Sequence, residues 1–370
     1  MKLKMKQLAL AASLCAGFSA TAQTQASTST SASASASSVT LYGILDVSVR
    51  SQTGLTAAYA RSPINSTTVA SGVGPTSRWG LRGSEDLGGG LRAFFNLESG
   101  INVDTGASSN AVTFFDRASV VGLAGNWGSL TAGRQNTLVA DSVGVVDSIG
   151  LRFAGLNPNI QVTSLTGHQL GIEFGTTAST GSSNRVNNSV KYSIPVGPVV
   201  ARAMHSFGET AGDSSKQKST SLGLDYISSG LSATSAWTSF RDANNRELQA
   251  ANLGASWLAL PELRVMANAG YNRAETSATA VTRNRLLSAG VNYAATPAVD
   301  VLAGYYKVNR NRTALADDGF NRLLVFVEYK FSRRSRVFVE LDATHWKGDY
   351  LGTGNKSPSN GVSLGITHTF

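Results

Sequence analysis

From Asn360 to Phe370 the chain alternates between two rows. Val362, Leu364, Ile366, His368 and Phe370 form one row; Gly361, Ser363, Gly365, Thr367 and Thr369 form the other. A period of two marks a strand with two unlike faces. The same period recurs upstream. Leu287, Ala289, Val291 and Tyr293 alternate with Ser288, Gly290 and Asn292, and Val337, Val339, Leu341 and Ala343 alternate with Phe338, Glu340, Asp342 and Thr344. In Asn321 to Phe331 the row Leu323, Val325, Val327, Tyr329 and Phe331 is clear, although Leu324 and Phe326 blur its partner. No stretch after residue 22 reaches eighteen consecutive apolar residues, so helices that cross a membrane are excluded.

Period two alone does not say which row faces water. A soluble sandwich buries its apolar row, whereas a membrane barrel turns it to lipid and lines a lumen with the polar one. Three features favour the barrel. The runs reach nine to twelve residues, enough for a tilted strand to cross a bilayer. Tyr293, Tyr329, Phe331 and Phe370 cap the apolar rows, as interfacial aromatics do. The N-terminus also reads as an export signal.

That signal covers residues 1–22: Lys2, Lys4 and Lys6, then a short apolar core from Leu8 to Phe18, then Ala20-Thr-Ala22 as cleavage site. Its loss leaves no cysteine, since Cys15 lies within it, and so no disulfide or thiol chemistry. Net charge falls from +9 to about +6, spread along the chain without a basic block suited to nucleic acid. Residues 23–38, a Ser/Thr/Ala tract, read as a flexible tail, and the barrel domain is expected over 39–370.

Sixteen runs are expected, starting near Thr40, Thr76, Gly90, Thr113, Gly128, Arg185, Gly197, Lys218, Leu231, Leu248, Glu262, Thr282, Ala298, Gly319, Arg334 and Asn360. Very short turns, such as Ile194-Pro-Val-Gly197, alternate with longer polar stretches, among them Ser51 to Pro75, Glu209 to Lys216 and Lys347 to Asn360. Short turns on one rim and long loops on the other fit an outer-membrane barrel, and closure removes the sheet edges that lipid would not tolerate. The about thirty residues from Gln135 to Leu165 fit neither helix nor strand. A loop of that length within a compact domain is usually functional; it is expected to fold inside the barrel and narrow its channel.

The segments Ser38-Val-Thr-Leu-Tyr-Gly43, Ser77-Arg-Trp-Gly-Leu-Arg-Gly-Ser-Glu-Asp-Leu-Gly-Gly-Gly-Leu91, Ala118-Ser-Val-Val-Gly-Leu123 leading to Gly133-Arg-Gln135, Asn187-Asn-Ser-Val-Lys-Tyr192 and His368-Thr-Phe370 together resemble the Gram-negative trimeric general porins, in particular their β-proteobacterial branch. The resemblance implies an all-β fold, a 16-stranded antiparallel transmembrane β-barrel with an inward-folded third external loop. It also implies a homotrimer in the outer membrane, in contact with lipid and lipopolysaccharide, without cofactor or metal. Phe370 would be the signal read by the barrel-assembly machinery. A basic wall of Arg78, Arg117 and Arg185 would face Asp141 and Asp147 on the loop. Where the family often carries a further acid this chain has Leu151 followed by Arg152, which weakens the acidic side and shifts preference toward anions. Parity agrees: Trp79 and Leu81 on the lipid row turn Arg78 inward, Ala118 and Val120 do so for Arg117, and Val186 and Val190 for Arg185. Asp46, Arg92 and Glu98 also point inward by parity, and Arg134 is read as a loop or subunit contact.

The function implied is passive diffusion of small ions and hydrophilic solutes; a substrate-selective porin for phosphate or an organic acid is the alternative. An enzyme has little support. Gly361-Val-Ser-Leu-Gly365 matches a nucleophile elbow as a string, but that motif needs a strand-to-helix turn. His168, His205, His345 and His368 show no metal-ligand spacing.

Overall fold

A computed structural model describes residues 37–163, 184–350 and 358–370. The proposed leader, nearly all of the Ser/Ala tract and His168 lie outside these residues. The elements in chain order are β1 (Ser38–Leu55), β2 (Arg61–Ser71), β3 (Arg78–Gly88), β4 (Leu91–Gly100), β5 (Ala118–Gly125), β6 (Gly128–Asn136), α1 (Leu138–Val146), α2 (Pro158–Thr163), β7 (Arg185–Val196), β8 (Val199–Ser206), β9 (Ser219–Ile227), β10 (Leu231–Arg241), β11 (Glu247–Leu260), β12 (Leu263–Glu275), β13 (Val281–Thr296), β14 (Val299–Arg312), β15 (Asp318–Lys330), β16 (Ser335–Lys347) and β17 (Ser359–Thr369).

Each strand from β3 to β17 pairs antiparallel with the next, and β17 returns to β1, Asn360–Thr369 lying against Ile44–Thr53. The sheet is closed. Phe370 completes the seam: its N–H donates to Gly43 O at 3.0 Å, and Gly43 N–H donates to Phe370 O at 3.1 Å. A Cβ at Gly43 would sit 2.3 Å from the Phe370 ring, so glycine is what lets that ring lie flat on the wall.

Seventeen strands make sixteen staves because β2 and β3 share one. The upper part of β1, Val47–Leu55, pairs with β2, and its lower part, Ser38–Ile44, pairs with β3. The polar stretch Ser51–Pro75, expected as a loop, therefore holds the end of β1 and all of β2. Its Ser/Thr side chains hide it from a hydrophobic pattern, yet they bond across the hairpin, as in Thr67 Oγ1 donating to Ser51 Oγ at 3.3 Å. Thr113 to Arg117, expected as the start of a strand, turns instead before β5.

The expected apolar row is the exposed one. Leu364 is 63% and Val339 41% accessible, whereas their neighbours Ser363 and Glu340 are almost fully buried. A continuous apolar surface of this extent is tolerated only when another apolar phase covers it. Short turns join the strands on the rim that carries Phe370, and the long connections gather on the other rim.

Two apolar clusters nevertheless lie on the polar face. One joins Leu138, Val139 and Val143 to Val186, Met204, Phe240 and Leu248; the other joins Ile149, Phe153 and Leu156 to Leu324, Phe326, Phe338 and Trp346. They explain why Leu324 and Phe326 blurred the alternation: both are fully buried beneath the β6–β7 connection.

Candidate functional site

The β6–β7 connection is not structureless. Thr137 caps α1, its Oγ1 accepting from Ala140 N–H at 3.2 Å. Leu138, Val139, Ser142, Val143 and Val146 are buried, a helical spacing that turns one face to the wall. Valines and Gly144 have low helix propensity, which concealed the helix, and tertiary contact overrides that weakness. Ser142 hydrogen-bonds Thr234 of β10 and accepts from Asn252 Nδ2 of β11 at 3.0 Å. Close approach requires bare backbone: a Cβ on Gly254 would stand 2.5 Å from Val146, and one on Gly290 2.3 Å from Ser148 Oγ.

Asp147 ends α1 and is 2% exposed. Its carboxylate accepts from Leu151 N–H at 2.6 Å, Asn159 Nδ2 at 2.8 Å, Tyr306 Oη at 3.0 Å and Asn157 Nδ2 at 3.1 Å. Burial pushes its pKa above the ordinary carboxylate range, against the pull of those donors. Leu151 and Phe153 hold positive φ, at 56° and 52°, each costing about 1 kcal/mol or more unless the surroundings impose it. Asp147 imposes the first. Phe153 is fixed by its N–H bond to Gly74 O at 3.2 Å and by the Arg50 guanidinium 4.6 Å over its ring. Replacing Asp147 with asparagine puts an amide N–H where four donors converge. The expected outcome is a loosened loop, read as noisier single-channel current; a changed permeability ratio with quiet current would instead assign Asp147 to the ion path.

Arg152 is also enclosed. Its Nε and Nη2 reach Glu328 of β15 at 2.6 and 3.0 Å, and its Nη1 donates to Ile149 O at 2.8 Å. Arg336 completes the group at 3.0 Å from Glu328. Arg322 donates to Leu156 O beside it.

The basic wall residues meet on the opposite arc. Arg117 Nε lies 2.6 Å and Arg78 Nε 3.4 Å from the two oxygens of Glu98, which also accepts from Tyr42 Oη at 2.9 Å. Arg185 is close enough to Arg117 and Glu98 to interact electrostatically. Its place does not follow from parity: Val186, expected on the lipid row, is 7% exposed and packs against α1. Asn188, at φ 52°, breaks the alternation between Val186 and Val190.

Asp141 stands apart from Asp147. It is half-buried on the side of α1 that faces β7 and β8, with Lys191 Nζ at 2.7 Å and Arg202 Nη1 at 3.5 Å. Arg202 also pairs with Asp225. Lys191, Arg202 and Glu98 join the site beyond the residues expected from the sequence; inward parity is the signal that marks all three. Arg134 donates to Asp116 O at 2.7 Å and to Asn187 Oδ1 at 2.6 Å, bracing the strand ends around the connection. Ser363 lies within β17, donating to Glu340 at 2.7 Å, and not at a strand-to-helix turn. Among the described residues no cluster of His, Cys, Asp and Glu could hold a metal ion.

The family model described as Gram-negative porin matches residues 9–349. An outer membrane porin of Bordetella pertussis is 30% identical over 251 residues, covering 65% of this chain and 61% of that protein. Outer membrane porin protein 32 of Delftia acidovorans is 45% identical over 98 residues, 26% of each chain. The solved structure of an anion-selective porin from Comamonas acidovorans superposes with a TM-score of 0.75 at 23% identity, covering 90% of this chain and all of that one. A trimer form of the outer membrane protein OmpT of Vibrio cholerae superposes at 0.65, with 16% identity and 90% and 100% coverage. A closed sixteen-stave barrel that is apolar outside, together with a family match across most of the sequence, makes this chain a member of the Gram-negative porin family.

Proposed function

We propose that the protein is a passive diffusion channel of the outer membrane, a homotrimer in which each barrel carries its own pore, and that the pore prefers small anions. The β6–β7 connection is the third long loop, folded into the lumen. In support, its residues touch β1, β7, β8 and β10 through β15, always on the polar face, and a single segment reaches so many staves of a closed barrel only from the concave side. The loop packs most closely against β10–β16 and meets β7 and β8 at α1, so the water path runs along β3–β6 with Lys191 and Arg202 at its edge.

The observation that carries the ion preference is the charge on that arc. Arg78, Arg117, Arg185, Lys191 and Arg202 face Glu98, Asp141 and Asp225, an excess of positive charge on side chains that lie largely within the wall and keep only their tips accessible. Fixed charges lining a narrow pore set which ions enter. The Comamonas porin with a similar fold is itself anion-selective, in keeping with this reading. Nothing is bonded or cleaved, and no cofactor is involved.

The test is a planar bilayer with purified protein and about tenfold more potassium chloride on one side. The zero-current potential should take the sign of chloride permeation. A potassium-selective sign would overturn the anion preference, and a current that saturates and is blocked at low phosphate concentration would favour a substrate-selective porin instead.

A further inference from the structure

Glu98 is the acid on the positive arc, and what holds it decides how much of its charge a passing ion meets. Its side chain is 14% accessible. Arg117 Nε sits 2.6 Å from Oε1. At Oε2, Arg78 Nε stands at 3.4 Å, a loose ion pair, and the Tyr42 hydroxyl is nearer, at 2.9 Å. Tyr42 belongs to the lower part of β1, where burial places it inside: Leu41 and Leu45 are exposed on the outer row, and Ile44 and Asp46 are buried on the inner one.

The ring is held before the hydroxyl acts. Its neighbour across the ladder is Gly80 of β3, where a Cβ would stand 2.8 Å from the phenol Cζ and Oη. The ring therefore packs on bare backbone, and the Arg82 guanidinium stands 5.0 Å from its centroid. The hydroxyl points along the wall to β4, with Asn96 Oδ1 at 2.8 Å and Glu98 Oε2 at 2.9 Å. A phenol has one proton to give. The carboxylate is charged and is the stronger acceptor, so the proton goes to Glu98. Asn96, with its amide turned over, donates Nδ2–H to the phenol oxygen in return. A ring already fixed by packing loses little further freedom in holding the carboxylate.

We propose that Tyr42 is a positioning residue for ion selection: its hydroxyl keeps Glu98 turned toward Arg117 and Arg78 and away from permeating ions. The role rests on the reading of the β3–β6 arc as the ion path. Tyr42 carries no charge, so its influence on permeation passes through Glu98. A hydrogen bond to a charged group shifts the balance between held and released positions by roughly tenfold. Without the hydroxyl, Oε2 keeps the looser arginine contact, and the carboxylate spends more of its time in the lumen, where its negative charge repels anions and attracts cations.

The experiment compares the parent, Tyr42→Phe, Glu98→Gln and the double variant in planar bilayers, reading the zero-current potential across a gradient of dilute potassium chloride. Tyr42→Phe keeps the ring on Gly80 and against Arg82, so its barrel should resist heat in detergent as the parent does. Its anion-to-cation permeability ratio should fall roughly twofold, a part of the roughly fourfold effect of a fully exposed unit charge. In the Glu98→Gln background the same substitution should change nothing, since no charge is left to release. An unchanged or raised ratio for Tyr42→Phe would overturn the role, and so would a fall of equal size with and without Glu98, because the effect would not then pass through that carboxylate. A potassium-selective parent would overturn the anion preference and leave this role standing, since the role is read from differences between the variants.

Discussion

Replacing Arg117 with alanine should move the zero-current potential toward cations by more than any other single change on the wall. Arg117 holds one oxygen of Glu98 at 2.6 Å, and Arg78 holds the other at 3.4 Å. Removing Arg117 deletes a positive charge and also releases half of that carboxylate toward the pore. One unit charge about 5 Å from an ion in water is worth ~0.8 kcal/mol, or roughly fourfold in the local concentration of each ion sign, in opposite directions. The anion-to-cation permeability ratio should therefore fall several-fold. Screening sets the conditions: the Debye length is about 10 Å at 0.1 M salt but only about 3 Å at 1 M, so the shift should be large in dilute salt and fade in concentrated salt. Glu98→Gln should shift the ratio the other way. An unchanged potential for Arg117→Ala in dilute salt would take Arg117 out of the ion path.

Arg152→Ala should have the largest effect on the loop itself. Arg152 is 7% exposed and joins the loop to Glu328 by two hydrogen bonds. Removing one partner from a buried ion pair costs about 3–5 kcal/mol, because the other charge is left without compensation. Arg336 still reaches Glu328, which places the expected loss near the lower figure. Other anchors remain, so the segment should fluctuate and not leave. Current through single channels should flicker, and added protease should cut between Gly150 and Gly155, while the barrel keeps its resistance to heat in detergent. Current as quiet as the parent's, with no new cleavage, would show that the pair contributes nothing to holding the loop.

How much of this was legible beforehand follows from what alternation can encode. Leu364, Val339 and Leu287 are legible as the lipid row because nothing interrupts the period around them. Arg78 was placed on the inner row by Trp79 and Leu81 for the same reason, and it does meet Glu98. The period fails where the backbone leaves the regular strand. Asn188, in the left-handed region, shifts the phase before it, so parity points Val186 to the lipid face while the structure buries it. It also fails where contact outweighs propensity. Helix α1 is built from poor helix formers and exists because Leu138 and Val143 have Met204 and Phe240 to cover. Strand β2 carries no apolar row because serine, threonine and asparagine fill it, with Ile64 and Val69 its exposed large apolar residues. The partners of Asp147 were out of reach for a different reason: Tyr306 is 159 residues away, and no local pattern announces a contact at that separation.

The loop clings to one side of the barrel, and this makes the protein functionally lopsided. Side chains lining β13 to β16 form one buried apolar cluster with the loop, so changes there would register first in how firmly the loop is held. Across the opening, on β3 to β6, the reverse holds: a substitution of a lumen-facing charge could rewrite which solutes pass while the loop stays anchored as before. Evolution could thus retune the traffic through this channel by editing less than half of its circumference.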